Sequence, residues 1–248
     1  KRAGLTGNYG KVVTPPVQRQ DGIYTAYLYG DVLVEQILDL TFSTTTGQPD
    51  TAAISYVVTN QGFATRDIGL RIVLDTMLGN NDGAPFRVRD MAVVSDTMFA
   101  GDDIPAFVQA FDDLLKPAVM AQGNISGAEV SRPTRVYFTN WGSLADGVWD
   151  FNFQPGRDFT RTGGFDLDSA MALYWDQEPL RPGESRRYVT HYGLGGISIA
   201  QGFLSLGLSS VNKVEMAVNP VPFDVVGYIQ NTGDGIAHEV VAKLLLPD

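Results

Sequence analysis

Apolar and polar residues alternate with a period of two along much of this chain, and that rhythm admits few folds. Successive side chains of an extended strand point to opposite faces, so alternation marks strands with one face in a core. In 31–43 one face carries Val32, Val34, Gln36, Leu38, Leu40 and Phe42, and the other carries Glu35, Asp39 and Thr41. In 51–60 the inward set is Ile54, Tyr56 and Val58, and in 68–75 it is Ile68, Leu70, Ile72 and Leu74. Further strands are predicted at 23–29, 86–94, 134–139, 148–153, 170–175, 186–192, 213–218, 223–230 and 237–246. Turn signals separate them, among them Asn60-Gln61-Gly62, Asn81-Asp82-Gly83, Pro182-Gly183 and Asn231-Thr232-Gly233.

One stretch has a different period. Ile104, Phe107, Val108, Phe111, Leu114 and Leu115 fall at helical spacing, with Asp102 or Asp103 as cap, Pro105 in the first turn and Pro117 at the end. This spacing predicts an amphipathic helix over 104–116. The expected fold is all-β and mainly antiparallel, a large two-sheet β-sandwich with one short amphipathic helix. Residues 1–212 are expected to form the sandwich. Residues 213–248 read as a C-terminal β-hairpin, either the start of another repeat or the last strands of the sandwich.

Charge excludes some partners. The chain has 28 acidic and 18 basic residues, a net charge of −10, and its average field repels a nucleic-acid backbone. Asp outnumbers Glu 22 to 6, which suits loops and turns better than helices and leaves oxygen ligands for calcium. Cysteine is absent, so disulfides, thiol catalysis and cysteine–zinc sites are excluded. No apolar run is long enough to span a bilayer as a helix. Only 19% of residues are charged, as in many exported β proteins, and the expected location is extracellular or at the cell surface. The two ends read as cut from a longer chain, with any signal sequence outside it.

Several residue groups are candidates for chemistry. Asp75, Asn80, Asn81 and Asp82 gather side-chain oxygens directly after a strong strand, as a calcium loop requires, although plain turn chemistry accounts for the same residues. The spacing is not that of an EF-hand. Trp141, Trp149 and Trp175 lie beside amide and carboxylate groups, the combination a carbohydrate platform uses, although a sandwich core also takes tryptophan. Paired carboxylates for glycan hydrolysis could be drawn from Asp166, Asp168 and Asp176. His191 and His238 both fall in predicted strands, and no Gly-x-Ser-x-Gly elbow is present. No cofactor beyond calcium is expected.

Two resemblances follow. The strand at 223–230, the Asn231-Thr232-Gly233 turn, the strand at 237–246 and the closing Leu246-Pro247 resemble the opening hairpin of Ig-like repeats in bacterial and archaeal surface proteins. That resemblance implies a structural or adhesive role. The preceding body is similar in strand rhythm to the large supersandwich of sugar-mutarotase-like proteins. Their activity would need a His/Glu pair, for which His191 with Glu178 or Glu184 is available without supporting spacing. The expected function is a non-enzymatic structural or adhesive module that self-associates or meets neighbouring domains. The alternatives are a carbohydrate-binding module and a glycan-active enzyme.

Overall fold

The computed structural model describes residues 10–20, 22–43, 48–127, 129–147, 149–195, 204–209, 226–231 and 240–244. In chain order its elements are β1 (Lys11–Gln18), β2 (Gly22–Tyr29), β3 (Val32–Thr41), β4 (Thr51–Asn60), β5 (Arg66–Asp75), β6 (Phe86–Val88), β7 (Met91–Val93) and β8 (Thr97–Ala100). There follow β9 (Phe107–Phe111), β10 (Met120–Asn124), β11 (Arg135–Asn140), α1 (Trp141–Asp146), β12 (Ser169–Leu180), β13 (Ser185–Leu194), β14 (Leu204–Ser209) and β15 (Val226–Asn231). A nine-stranded sheet runs β1-β2-β3-β4-β13-β10-β9-β6-β7, and a four-stranded sheet runs β5-β12-β11-β8. Their pairings are antiparallel throughout. The expected all-β sandwich with one short helix is the observed architecture.

The core lies between the large and small sheets. Its centre is a run of rings: Phe86 lies 4.7 Å from Phe138 and 5.7 Å from Phe159, and Phe99 lies 5.9 Å from Phe138. Strand β12 sends Met171, Leu173 and Trp175 into this core and Ala170, Ala172 and Tyr174 to the other side. That other side is also covered. Leu144 of α1, with Trp149 and Phe151, packs over Ala170, Ala172 and Tyr174. The small sheet is thus the middle layer of three along β12.

Three local expectations are corrected. The helix predicted over 104–116 is absent: a 3-10 turn spans Gly101–Asp103 and β9 follows, paired with β10. Phe107, Val108, Gln109 and Ala110 are all buried, and a strand buried on both faces shows no alternation to reveal it. Asp112 then closes the turn, its Oδ1 accepting the N–H groups of Asp113, Ala118 and Val119 at 2.9–3.0 Å. The short helix is instead Trp141–Asp146, capped by the Asn140 side chain. The stretch 149–153 is not a strand. Its alternating rings stack edge-on against the small sheet without joining a ladder, Phe151 at 5.2 Å from Tyr137 and Trp149 at 5.1 Å from Tyr174. The segment read as one strand over 86–94 is the hairpin β6–β7, turning at Arg89 with φ +56°.

At the C-terminal end, β15 pairs with β14. Residues 240–244 carry no strand, and the strand predicted at 213–218 lies outside the described residues. At the edge of the large sheet, β1 contains Pro15 and Pro16, which lack the N–H needed to add a further strand. No helix among the described residues is long and apolar enough to cross a membrane.

Phe138 is fully buried between Phe86 and Phe99. Phe138→Ala should lower the unfolding free energy by about 3–5 kcal/mol, read from the urea midpoint at unchanged slope.

Candidate functional site

At the N-terminal end of β12 three segments are pinned together by buried polar side chains. Ser169 is fully buried; its N–H donates to the Asp82 carbonyl at 2.8 Å, and its Oγ donates to the Ala84 carbonyl at 2.8 Å. Thr76, 1% exposed, donates its Oγ1–H to the Ser169 carbonyl at 2.8 Å. On the other side, the Asp168 N–H donates to the Phe159 carbonyl at 2.9 Å, and the Asp168 carbonyl accepts the Trp141 N–H at 2.9 Å. Asn140 Nδ2 donates to the same carbonyl at 3.1 Å, while its Oδ1 caps α1 through the Ser143 N–H at 2.9 Å. The side chains of Ser169, Thr76 and Asn140 are buried and cannot rehydrate without opening the interior, so the backbone is held firmly.

This scaffold brings three carboxylates to one point. Asp75 ends β5 in register with Ala170, Asp168 immediately precedes β12, and Asp82 stands on the loop whose carbonyl Ser169 holds. One oxygen from each of Asp75, Asp82 and Asp168 lies within 4.8 Å of the other two. The Asp168 carboxyl is pushed up to about 6 by burial, then by the charges of Asp82 and Asp75, against an opposing pull from Arg161. Tyr192 feels the same cluster: burial and the charge of Asp75 push its hydroxyl up to about 12. That hydroxyl is buried without a hydrogen-bond partner among the described residues. Three anions this close favour a proton or a metal ion among them.

Of the residues read from the sequence as calcium ligands, Asp75 and Asp82 are in this cluster. Asn81 is committed elsewhere: its Nδ2 donates to the Asp112 carbonyl at 2.8 Å and its Oδ1 accepts the Gly83 N–H at 3.0 Å. Asn80 is exposed at the tip of the turn that Leu78 and Asn81 close, next to Gly79 with φ +60°. Asp168 completes the cluster. It was legible only as one carboxylate among many, because its closeness to Asp75 comes from the pairing of β12 with β5.

The tryptophans do not form one platform. Trp175 is 6% exposed in the core, with its Nε1 donating to the Ser131 carbonyl at 3.2 Å. Trp149 is half-buried against Tyr174, and Trp141, 41% exposed, opens α1. Among the other candidates, Asp176 is paired with Arg135 and Asp166 is exposed. His191 is half-buried in β13, and burial lowers its pKa against the opposing charge of Glu129. Glu178 pairs with Arg186 at 3.5 Å, and Glu184 accepts the Arg181 N–H at 2.8 Å, so both are engaged near the β12–β13 turn. His238 lies outside the described residues.

No family model and no curated protein matches the chain. Among solved structures it is similar to an aldose 1-epimerase-like protein from Escherichia coli K12, at 11% identity and TM-score 0.45, over 75% of this chain and 68% of that one. It is similar to a galactose mutarotase-related enzyme from Lactobacillus acidophilus at 9% identity and TM-score 0.44, over 76% and 72% of the two chains. A heparan sulfate lyase mutant from Pedobacter heparinus matches at 9% identity and TM-score 0.38, over 90% of this chain but 28% of the lyase. These likenesses assign neither an activity nor a ligand.

With no metal ion present, the raised Asp168 carboxyl has a defined sign. Its value in the fold, about 6, lies above the ordinary 3.8, so its contribution to stability is present below pH 3.8 and is lost as pH rises through 6. In chelator, Asp168→Asn should therefore be more stable than the parent at pH 7. Its stability should also fall less between pH 4 and pH 6 in parallel urea titrations.

Proposed function

We propose that this chain is a non-enzymatic structural module of an exported or cell-surface protein, locked at one end by calcium between Asp75, Asp82 and Asp168. The observation that carries the reading is the convergence of three carboxylates on a backbone already fixed by Ser169, Thr76 and Asn140. Calcium is a hard ion that takes about six to eight oxygens, and three carboxylates can supply up to six if each binds through both oxygens. A bound ion would tie β5, the 76–85 loop and the start of β12 together, joining segments far apart in sequence. Its effect would be to stabilise the fold.

The weakly charged surface and the absence of cysteine agree with an exported module. Extracellular calcium modules bind at about 10⁻⁴–10⁻³ M, and a site built from exposed Asp75 and Asp82 with half-buried Asp168 suits that range. Self-association, if it occurs, has to avoid the edge that Pro15 and Pro16 block.

Thermal unfolding in calcium and in chelator tests the reading. At about 100 times the dissociation constant, calcium should add about 2.7 kcal/mol, which raises Tm by roughly 5–10 °C in a domain of this size. Asp82→Asn and Asp168→Asn should each remove most of that response. A parent protein whose Tm ignores calcium up to about 100 mM, about 100 times the weakest dissociation constant of that range, would refute the proposal.

A further inference from the structure

The described strands of the large and small sheets end in four edges, and three of them are blunted. Strand β1 carries Pro15 and Pro16, β7 has three residues and β8 has four. The fourth edge, β5, runs ten residues from Arg66 to Asp75 without proline, and among the described residues it pairs only with β12. Its other side therefore presents unpaired backbone N–H and C=O groups, a template for a further strand.

An apolar shelf lies beside that edge. Arg66 pairs with Asp31 of the β2–β3 turn at 2.7 Å, so β5 is the edge of the small sheet on the side of β3. The large sheet has nine strands against four, and β1 and β2 extend beyond β5. Register puts Val12, Ile23, Tyr29 and Leu40 on the face that Val32 and Val34 turn to the core. All four side chains are exposed, Leu40 by 61%. A strand added to β5 would lie about 4.8 Å beyond it and about 10 Å from the shelf, the spacing of packed sheets, and would cover these side chains.

The overhang also decides what can dock. Two copies joined β5 to β5 would be related by a two-fold axis normal to the sheet, the symmetry of an antiparallel pair of identical strands. That axis drives β1 and β2 of both copies into one layer, where they collide. A single extended segment meets no such obstacle. Its inward side chains have to be apolar to cover Val12, Ile23 and Leu40. Its outward side chains meet Asp67, exposed on the face of β5 away from the core, whereas Arg71 on that face is turned to the Leu144 and Gly147 carbonyls. Opposite charges on neighbouring strands attract, and the net charge of −10 acts in the same direction. We infer that the β5 edge is a docking site for an extended segment of a partner protein, with alternating apolar and basic residues, added as a further strand of the small sheet. The site needs no carboxylate of the calcium cluster and stands apart from that reading.

The probe is a fluorescently labelled peptide, Lys-Val-Thr-Val-Lys-Val-Thr-Val-Lys, titrated against the whole chain by anisotropy. It should bind with a dissociation constant of about 10–100 µM, about tenfold tighter than the same peptide with Glu in place of Lys. Leu40→Asp should weaken the Lys peptide about fivefold or more at unchanged Tm, and Asp67→Lys should weaken it while strengthening the Glu peptide. Methylating the backbone nitrogens of alternate peptide residues should abolish binding for one alternate set and spare the other, since only one set faces the ladder. Amide exchange in β5 should slow when the peptide binds. If Leu40→Asp lowers Tm, Asp67→Lys carries the test. No binding to about 1 mM, equal affinity for the Glu peptide, indifference to both methylated sets, or a dimer in light scattering that Leu40→Asp dissociates would each overturn the proposal.

Discussion

Burial of β12 on both faces is the interaction on which the rest of the molecule depends. Met171, Leu173 and Trp175 pack toward the large sheet, while Ala170, Ala172 and Tyr174 lie under Leu144, Trp149 and Phe151. Two small alanines on the outer face let α1 approach closely. A strand enclosed in this way cannot hydrate the polar groups at its end, so they must be bonded internally. Ser169 meets that demand through Asp82, Ala84 and Thr76. The same bonds draw Asp75 and Asp82 toward Asp168, so the carboxylate cluster is a consequence of how the strand is buried.

The small sheet's outer layer follows from the same constraint. Arg71 donates to the Leu144 carbonyl at 3.3 Å and the Gly147 carbonyl at 3.2 Å, and Tyr174 donates its hydroxyl to the Trp149 carbonyl at 2.9 Å. These bonds fasten α1 and the segment after it to the sheet. Beyond it, the buried Asp96–Arg157 pair holds the Asn152 carbonyl and the Thr162 hydroxyl in place.

How much of this was legible in the sequence depended on burial. Strands with one buried face, such as β4 with Ile54, Tyr56 and Val58, announce themselves by alternation. Strand β9, buried on both faces, does not, and the chance spacing of Phe107, Val108 and Phe111 suggested a helix. The rings at 149–153 alternate for a different reason, stacking on Tyr137 and Tyr174 without a ladder. Asp75 and Asp82 were readable because one loop holds both. Asp168 was not, because its place depends on strand pairing, and no sequence pattern marks the buried Asp96–Arg157 pair. Exposure of the tryptophans was equally hidden: Trp175 and Trp141 each have a polar neighbour in sequence, yet one is 6% and the other 41% exposed.

A crystal structure of the chain grown in calcium tests the central claim most directly. The account predicts an ion between Asp75, Asp82 and Asp168, bonded to an oxygen of each at about 2.3–2.6 Å, with Ser169 and Thr76 unmoved. Carboxylates hydrogen-bonded to one another through a shared proton in saturating calcium, with no ion between them, would contradict it.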